Sequence, residues 1–265
     1  MSFKSKVFAA AVTVTVVGGV GTVGVLSASA ATPSCGNRCI DIFSRQFGTH
    51  STPNFVMDVW RQGARVGQPI ILFRTSNSDP AEDFTMSFQG LVSDFFAAGL
   101  VSSAVNLHFG GGACAVADND PAELVADDAT PTCETLAPDE PALELEYAPF
   151  GVQSGLCVGT ATTAIQGEGV TLQPCGVSAK TVWILDTFDK SFPAILSGEV
   201  PLINGSDTNF SHPFVLTYPS NGFPTDIPRP QLQVRNLTGF SNGIGPIVGT
   251  VIDTQLWGAN FGVLK

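Results

Sequence analysis

A short unit recurs three times along this chain. A unit too small to bury its own apolar face must pack against its copies, so the recurrence constrains the fold more than any other feature. The clearest copy runs Cys157-Val158-Gly159, a polar turn from Thr160 to Gly169, Val170-Thr171-Leu172-Gln173-Pro174-Cys175, and then Trp183. Its landmarks, Cys157, Val170 and Trp183, are spaced by 13 and 13 positions. An earlier copy has a strand at Phe55 to Trp60, a Gly-containing turn from Arg61 to Gly67, a strand at Ile70 to Phe73, and Phe84 as its closing residue. Val56, Ile70 and Phe84 are spaced by 14 and 14. A third, looser copy has strands at Pro213 to Thr217 and Leu232 to Val234, and closes with Gln255-Leu256-Trp257. Trp257 follows Leu232 by 25 positions, and the extra length falls in the Gly- and Asn-rich stretch Asn236 to Thr250.

Composition agrees with short strands and many turns. Of 265 residues only 13% are charged, while Gly (28), Pro (18) and Phe (19) are frequent, and long Glu/Lys-rich helical segments are absent. Lys4 and Lys6 precede an apolar run from Val7 to Leu26, and Ala28-Ser29-Ala30 fits a small-residue cleavage site. Residues 1–30 therefore read as a signal peptide rather than an anchor, with residues 31–265 forming one secreted, extracellular domain. Removing the signal takes two of the twelve basic residues and no acid, which leaves 23 acids against 10 bases and a formal charge of -13. Such a chain has no electrostatic reason to bind nucleic acid or an anionic membrane. No later segment is long and apolar enough to span a bilayer.

All six cysteines, Cys35, Cys39, Cys114, Cys133, Cys157 and Cys175, lie beyond the signal. An even count in an exported chain points to disulfides. The sequence does not choose among the pairings; neighbours in order are the leading expectation. Zinc is disfavoured, because there is no Cys-x-x-Cys pair and His50, His108 and His212 are scattered. Between the first two copies lies a large insertion, about residues 90–146. Phe95 to Leu107 within it reads as strand or short helix. Asp118 to Glu146 holds ten acids and no base, and a Cys114–Cys133 bridge would close part of it.

The residues Cys157-Val158, Leu172-Gln173-Pro174-Cys175, Trp183 and Gln255-Leu256-Trp257, with the degenerate Met57-Asp58-Val59, Leu72-Phe73 and Glu82-Asp83-Phe84, resemble the ricin B-chain-like (R-type) lectin β-trefoils. The resemblance covers roughly residues 55–86, 147–185 and 213–260. The leader ending in Ala-Thr-Pro-Ser is also similar to those of small exported actinobacterial proteins. The resemblance implies an all-β fold, a β-trefoil of twelve strands in three repeats. It also implies an internal disulfide at Cys157 and Cys175, and a shared core holding Phe84, Trp183 and Trp257. Sugar binding in that family uses an Asp just after the first Cys-Leu, a stacking aromatic and an Asn or Gln, a shallow site with one platform. The middle repeat has Gly159 and Gln173 at the Asp and aromatic places, and the last has Thr217 and Arg235. The first keeps Asp58, with Phe73 at the aromatic place, Glu82 as polar partner, Asn77 in the nearby loop and Trp60 as a second platform.

Other chemistries find little support. There is no Gly-x-Ser-x-Gly elbow, and His108 and His212 are lone turn residues. Asp118-Asn119-Asp120 starts like a calcium loop but lacks its Gly and its bidentate Glu. Sequons begin at Asn204, Asn209 and Asn236 and are expected to be unused in a bacterial source. The expectation is a non-catalytic binding protein, with a glycan as ligand and neither cofactor nor metal. The alternatives are a β-trefoil protease inhibitor presenting Arg61 to Arg65 or Asn236 to Thr250, and a structural envelope protein.

Overall fold

The computed structural model describes residues 39–49, 52–53, 55–76, 79–110, 140–186, 200–210, 212–219, 231–238 and 251–261. The signal peptide, Cys35, Asn77, Cys114, Cys133, the acidic stretch 111–139 and most of the Asn236 to Thr250 loop lie outside the described residues. Among the described residues no helix is long and apolar enough to cross a membrane.

Twelve strands join in one sheet, four per repeat. The first repeat contains β1 (Ile40–Ser44), β4 (Phe55–Val59), β5 (Ile70–Arg74) and β6 (Phe84–Leu91), with a small hairpin of β2 (Gly48–Thr49) and β3 (Thr52–Pro53) inserted after β1. The second contains β7 (Pro141–Tyr147), β8 (Leu156–Gly159), β9 (Thr171–Pro174) and β10 (Val182–Leu185). The third contains β11 (Leu202–Asn204), β12 (Phe214–Thr217), β13 (Gln233–Asn236) and β14 (Trp257–Phe261).

The outer two strands of each repeat build a closed barrel. β1 pairs with β6, β6 with β7, β7 with β10 and β10 with β11. The Val200↔Trp257 bridge carries the pairing to β14, which returns to β1. Closure leaves no free sheet edge in the barrel. The inner pairs β4–β5, β8–β9 and β12–β13 are hairpins that cap one end. There the backbone forms a ring: Ile70 N–H donates to Val170 O at 3.0 Å, Val170 N–H to Leu232 O at 2.7 Å, and Leu232 N–H to Ile70 O at 2.8 Å. All three side chains are buried. The turns leading into the first two capping strands match as well. Gly67 (φ 79) and Gly167 (φ 81) stand in the left-handed region, which glycine adopts without penalty. Each donates its N–H to the next repeat, Gly67 to Leu172 O and Gly167 to Val234 O, both at 2.8 Å. This barrel with a three-hairpin cap is a β-trefoil.

Phe84, Trp183 and Trp257 are buried in one core, as the resemblance implies. Trp183 Nε1 donates to Val158 O at 2.9 Å and Trp257 Nε1 to Leu216 O at 2.8 Å, the same bond in two repeats. Cys157 and Cys175 are bridged across the β8–β9 hairpin. Cys39 is also disulfide-bonded.

The insertion is narrower than residues 90–146. β6 extends to Leu91, and Pro141–Tyr147 is a barrel strand paired with it from Phe84↔Tyr147 to Leu91↔Pro141. Glu144 and Glu146, counted above with the acidic loop, are buried in β7. They are tolerated because each accepts from nearby donors: Glu144 from Gly176 N–H at 2.9 Å and the Thr181 hydroxyl at 2.5 Å, and Glu146 from Gly155 N–H at 2.7 Å. Phe95 to Leu107 is helical, in α1 (Val92–Ala97) and α2 (Ser103–Phe109). The pair buries Val92, Phe95, Val105 and Phe109 in a second core with Val182, Ile184, Ile203 and Val215.

Candidate functional site in the first repeat

The first repeat gathers carboxylates at the outer end of its capping hairpin. β4 carries Asp58, opposite Ile71 of β5. After β5 the chain makes a turn over Pro80–Glu82, with Asp79 at its N-cap accepting from Ala81 N–H at 2.9 Å and Pro80 in the first position. Gln62 Nε2 donates to the same Asp79 oxygen at 3.0 Å and ties the β4–β5 loop to the turn. The turn points Glu82 back at the β5 end, where both its oxygens accept from Ser76 N–H at 3.0 Å. One carboxylate oxygen from each of Asp58, Asp79 and Glu82 then lies within 4.8 Å of the others.

Asp58 and Glu82, singled out from the sequence, are brought together. The surroundings differ from the shallow platform the resemblance implies. Asp58 is 4% exposed and Glu82 2%, while Asp79 is half-buried. Trp60 and Phe73 are half-buried too. Arg61 lies with its guanidinium 5.3 Å from the centre of the Trp60 ring, a cation–π contact. Asn77 lies outside the described residues. Asp79 was not singled out; its one local signal is the Asp-Pro pair that starts the turn.

Burial of like charges sets the electrostatics. Desolvation raises Glu82 to about 9. Asp41, Asp58 and Asp79 push it the same way, and only the Ser76 N–H opposes them. Asp41 in β1 is buried and raised to about 8, by desolvation first and then by Asp83. The Tyr147 hydroxyl of β7 is pushed up to about 12 by burial and by Asp58, Asp79 and Asp83. Among the described residues, neither the Tyr147 hydroxyl nor Asp41 Oδ1 has a hydrogen-bond partner.

The other repeats show what the position holds without the charges. In the third, Gln255 stands where Glu82 does, and Thr217 where Asp58 does. Gln255 Oε1 accepts from Thr238 N–H at 2.9 Å, as Glu82 does from Ser76, and its Nε2 donates to Thr217 Oγ1 at 3.2 Å and Asn236 O at 2.8 Å. In the second, Thr181 and Gly159 fill these places, and Glu144 reaches over from β7 to take the Gly176 N–H. Gly159 cannot be an Asp, because a Cβ there would stand 2.5 Å from Lys180 O.

Two further features lie apart from this site. An apolar cavity of about 420 Å³ is lined by Ile40, Ile42, Met86, Leu143, Leu185 and Ala259, among others. His108 stacks on Phe210 with ring centres 4.1 Å apart, and burial lowers it to about 4.

No protein-family model matches the chain. No curated protein matches it. Among solved structures, the chain is similar to the designed 3-fold symmetric protein ThreeFoil, at 11% identity and a TM-score of 0.43, over 84% of this chain and 97% of that one.

Proposed function

We propose that the chain is an exported, non-catalytic binding protein and that it takes a glycan at the first repeat. One observation carries this reading. Only in the first repeat are both of these positions acidic, Asp58 and Glu82; the second repeat has Gly159 and Thr181 there, and the third Thr217 and Gln255. Asp79, Trp60 and Phe73 of the same repeat are only half-buried, and supply a carboxylate and two rings at its edge. A carboxylate beside an aromatic face is the pairing that holds a sugar, with hydroxyls to one and the C–H face to the other. Export is supported by the leader and by the Cys157–Cys175 bridge.

The inhibitor reading has a rigid loop in its favour. Arg65 Nε donates to Gln68 Oε1 at 2.9 Å and Gln68 Nε2 to Trp60 O, which fixes Arg61 to Arg65 in an exposed position. Arg61 (φ 56, ψ 26) and Gln62 (φ 56) are, however, left-handed. A loop in that conformation does not offer the extended backbone that an edge-pairing cleft takes up.

A glycan array on wild type, Asp79→Ala and Trp60→Ala tests the proposal. Binding by the wild type that both variants lose is the expected result. An array with no wild-type signal removes the glycan reading.

A further inference from the structure

We propose that Asp58, Asp79 and Glu82 form a binding site for a hard divalent cation of calcium size. The inference goes beyond the glycan reading and stands whether or not a sugar binds.

Three observations carry it. First, the geometry fits. Oxygens from three carboxylates lie within 4.8 Å of one another, a span that a single hard cation with Ca–O bonds of about 2.3–2.6 Å can bridge. The ligands come from a strand and a turn that are held together independently of any ion, by Gln62 to Asp79 and Ser76 to Glu82. Second, the barrel side of the cluster offers polar groups with nothing to bond. Tyr147 is fully buried, its hydroxyl has no partner among the described residues, and the charges that act on it are Asp58, Asp79 and Asp83. Asp41, also buried, leaves Oδ1 unpartnered and faces the charges of Glu82 and Asp83. Buried polar atoms are normally satisfied, and an ion with its water satisfies such groups together. Third, the fold does not require these acids. Gln255 and Thr217 make the equivalent joint with neutral groups, so the charge in the first repeat is an addition to the scaffold.

Calorimetric titration of the full chain, stripped with EDTA, with calcium chloride tests this. The expected result is one site with Kd on the order of 10⁻⁴–10⁻³ M, as in extracellular calcium modules, weaker binding of Mg²⁺, and a melting temperature that rises with Ca²⁺. Glu82→Gln is the decisive variant, because glutamine already fills the matching position at Gln255; it should fold, melt cooperatively and lose the site, as should Asp79→Asn. Absence of heat and of a melting shift in the wild type overturns the proposal. So does a Glu82→Gln protein that binds as tightly as wild type, or an equal shift with sodium chloride of the same ionic strength. None of these readouts involves a sugar, so a silent glycan array leaves the cation site standing and an absent cation site leaves the array result standing.

Discussion

Gly159 and Lys180 are packed backbone to backbone. A Cβ on Gly159 would lie 2.5 Å from the Lys180 carbonyl oxygen and 2.9 Å from Thr181 Cγ2. The first of these atoms is main chain and cannot swing away. Thr160 N–H donates to that same carbonyl at 3.1 Å, and Asn204 Nδ2 at 3.0 Å, so the carbonyl is held from two further sides. Gly159→Ala is therefore expected to destabilise the protein by about 1–3 kcal/mol, which a urea melt followed by tryptophan fluorescence will read. Gly159→Asp, the substitution that restores the lectin-like carboxylate to the middle repeat, should cost more and gain no sugar.

Trp183 and Trp257 predict a second effect. Each indole is buried and spends its only donor on a strand carbonyl, Val158 O or Leu216 O. The first repeat fills the same place with Phe84, which packs against Tyr147 with ring centres 6.0 Å apart. Trp183→Phe keeps an aromatic there but removes volume and strands the Val158 carbonyl. A loss of about 2–4 kcal/mol follows from the cavity and the unmade bond together, measurable by chemical denaturation. Phe84→Leu should cost less, since no hydrogen bond goes with it.

Asp41 gives a pH signature. Its folded value of about 8 lies above the 3.8 of the free side chain, with desolvation as the main cause. The folded state therefore holds a proton that the unfolded state has released. That favours folding fully only below pH 4, and the contribution is lost as pH rises towards 8. Asp41→Asn should remove this slope. In EDTA, its melting temperature is expected to exceed that of wild type by on the order of 5 °C at pH 8, with the gap closing towards pH 4. An unchanged gap across that range would show that Asp41 is ionised in the folded protein.

The architecture was legible because its signals are local. Cys157, Val170 and Trp183 recur at strand-and-turn spacing, and the same residues form the disulfide, the cap ring and the core. β7 was hidden because Glu144 and Glu146 look like solvated charge. Their burial depends on Gly176, Thr181 and Gly155 N–H and O–H groups that arrive from elsewhere in the second repeat. Period-two alternation of Leu143, Leu145 and Tyr147 was the available clue. At the candidate site, Asp58 and Glu82 followed from the resemblance to the lectin trefoils. Asp79 did not, since a turn acid becomes a site residue only when the hairpin closes over it. Nor could the pattern give depth: whether a carboxylate stands at a surface or beneath it is decided by neighbours far along the chain.

The ring of Ile70, Val170 and Leu232 has a consequence for how the protein comes to be folded. Its three bonds join residues 100, 62 and 162 positions apart, so the ring closes only when all three repeats are in place. In a solenoid each repeat leans only on its neighbours and can be added or removed singly. Here the removal of any one repeat leaves an amide and a carbonyl of the other two facing nothing. The chain is thus committed to assemble in a single cooperative step, slowed by the long loops it must close, and an isolated repeat has no stable fold to fall back on.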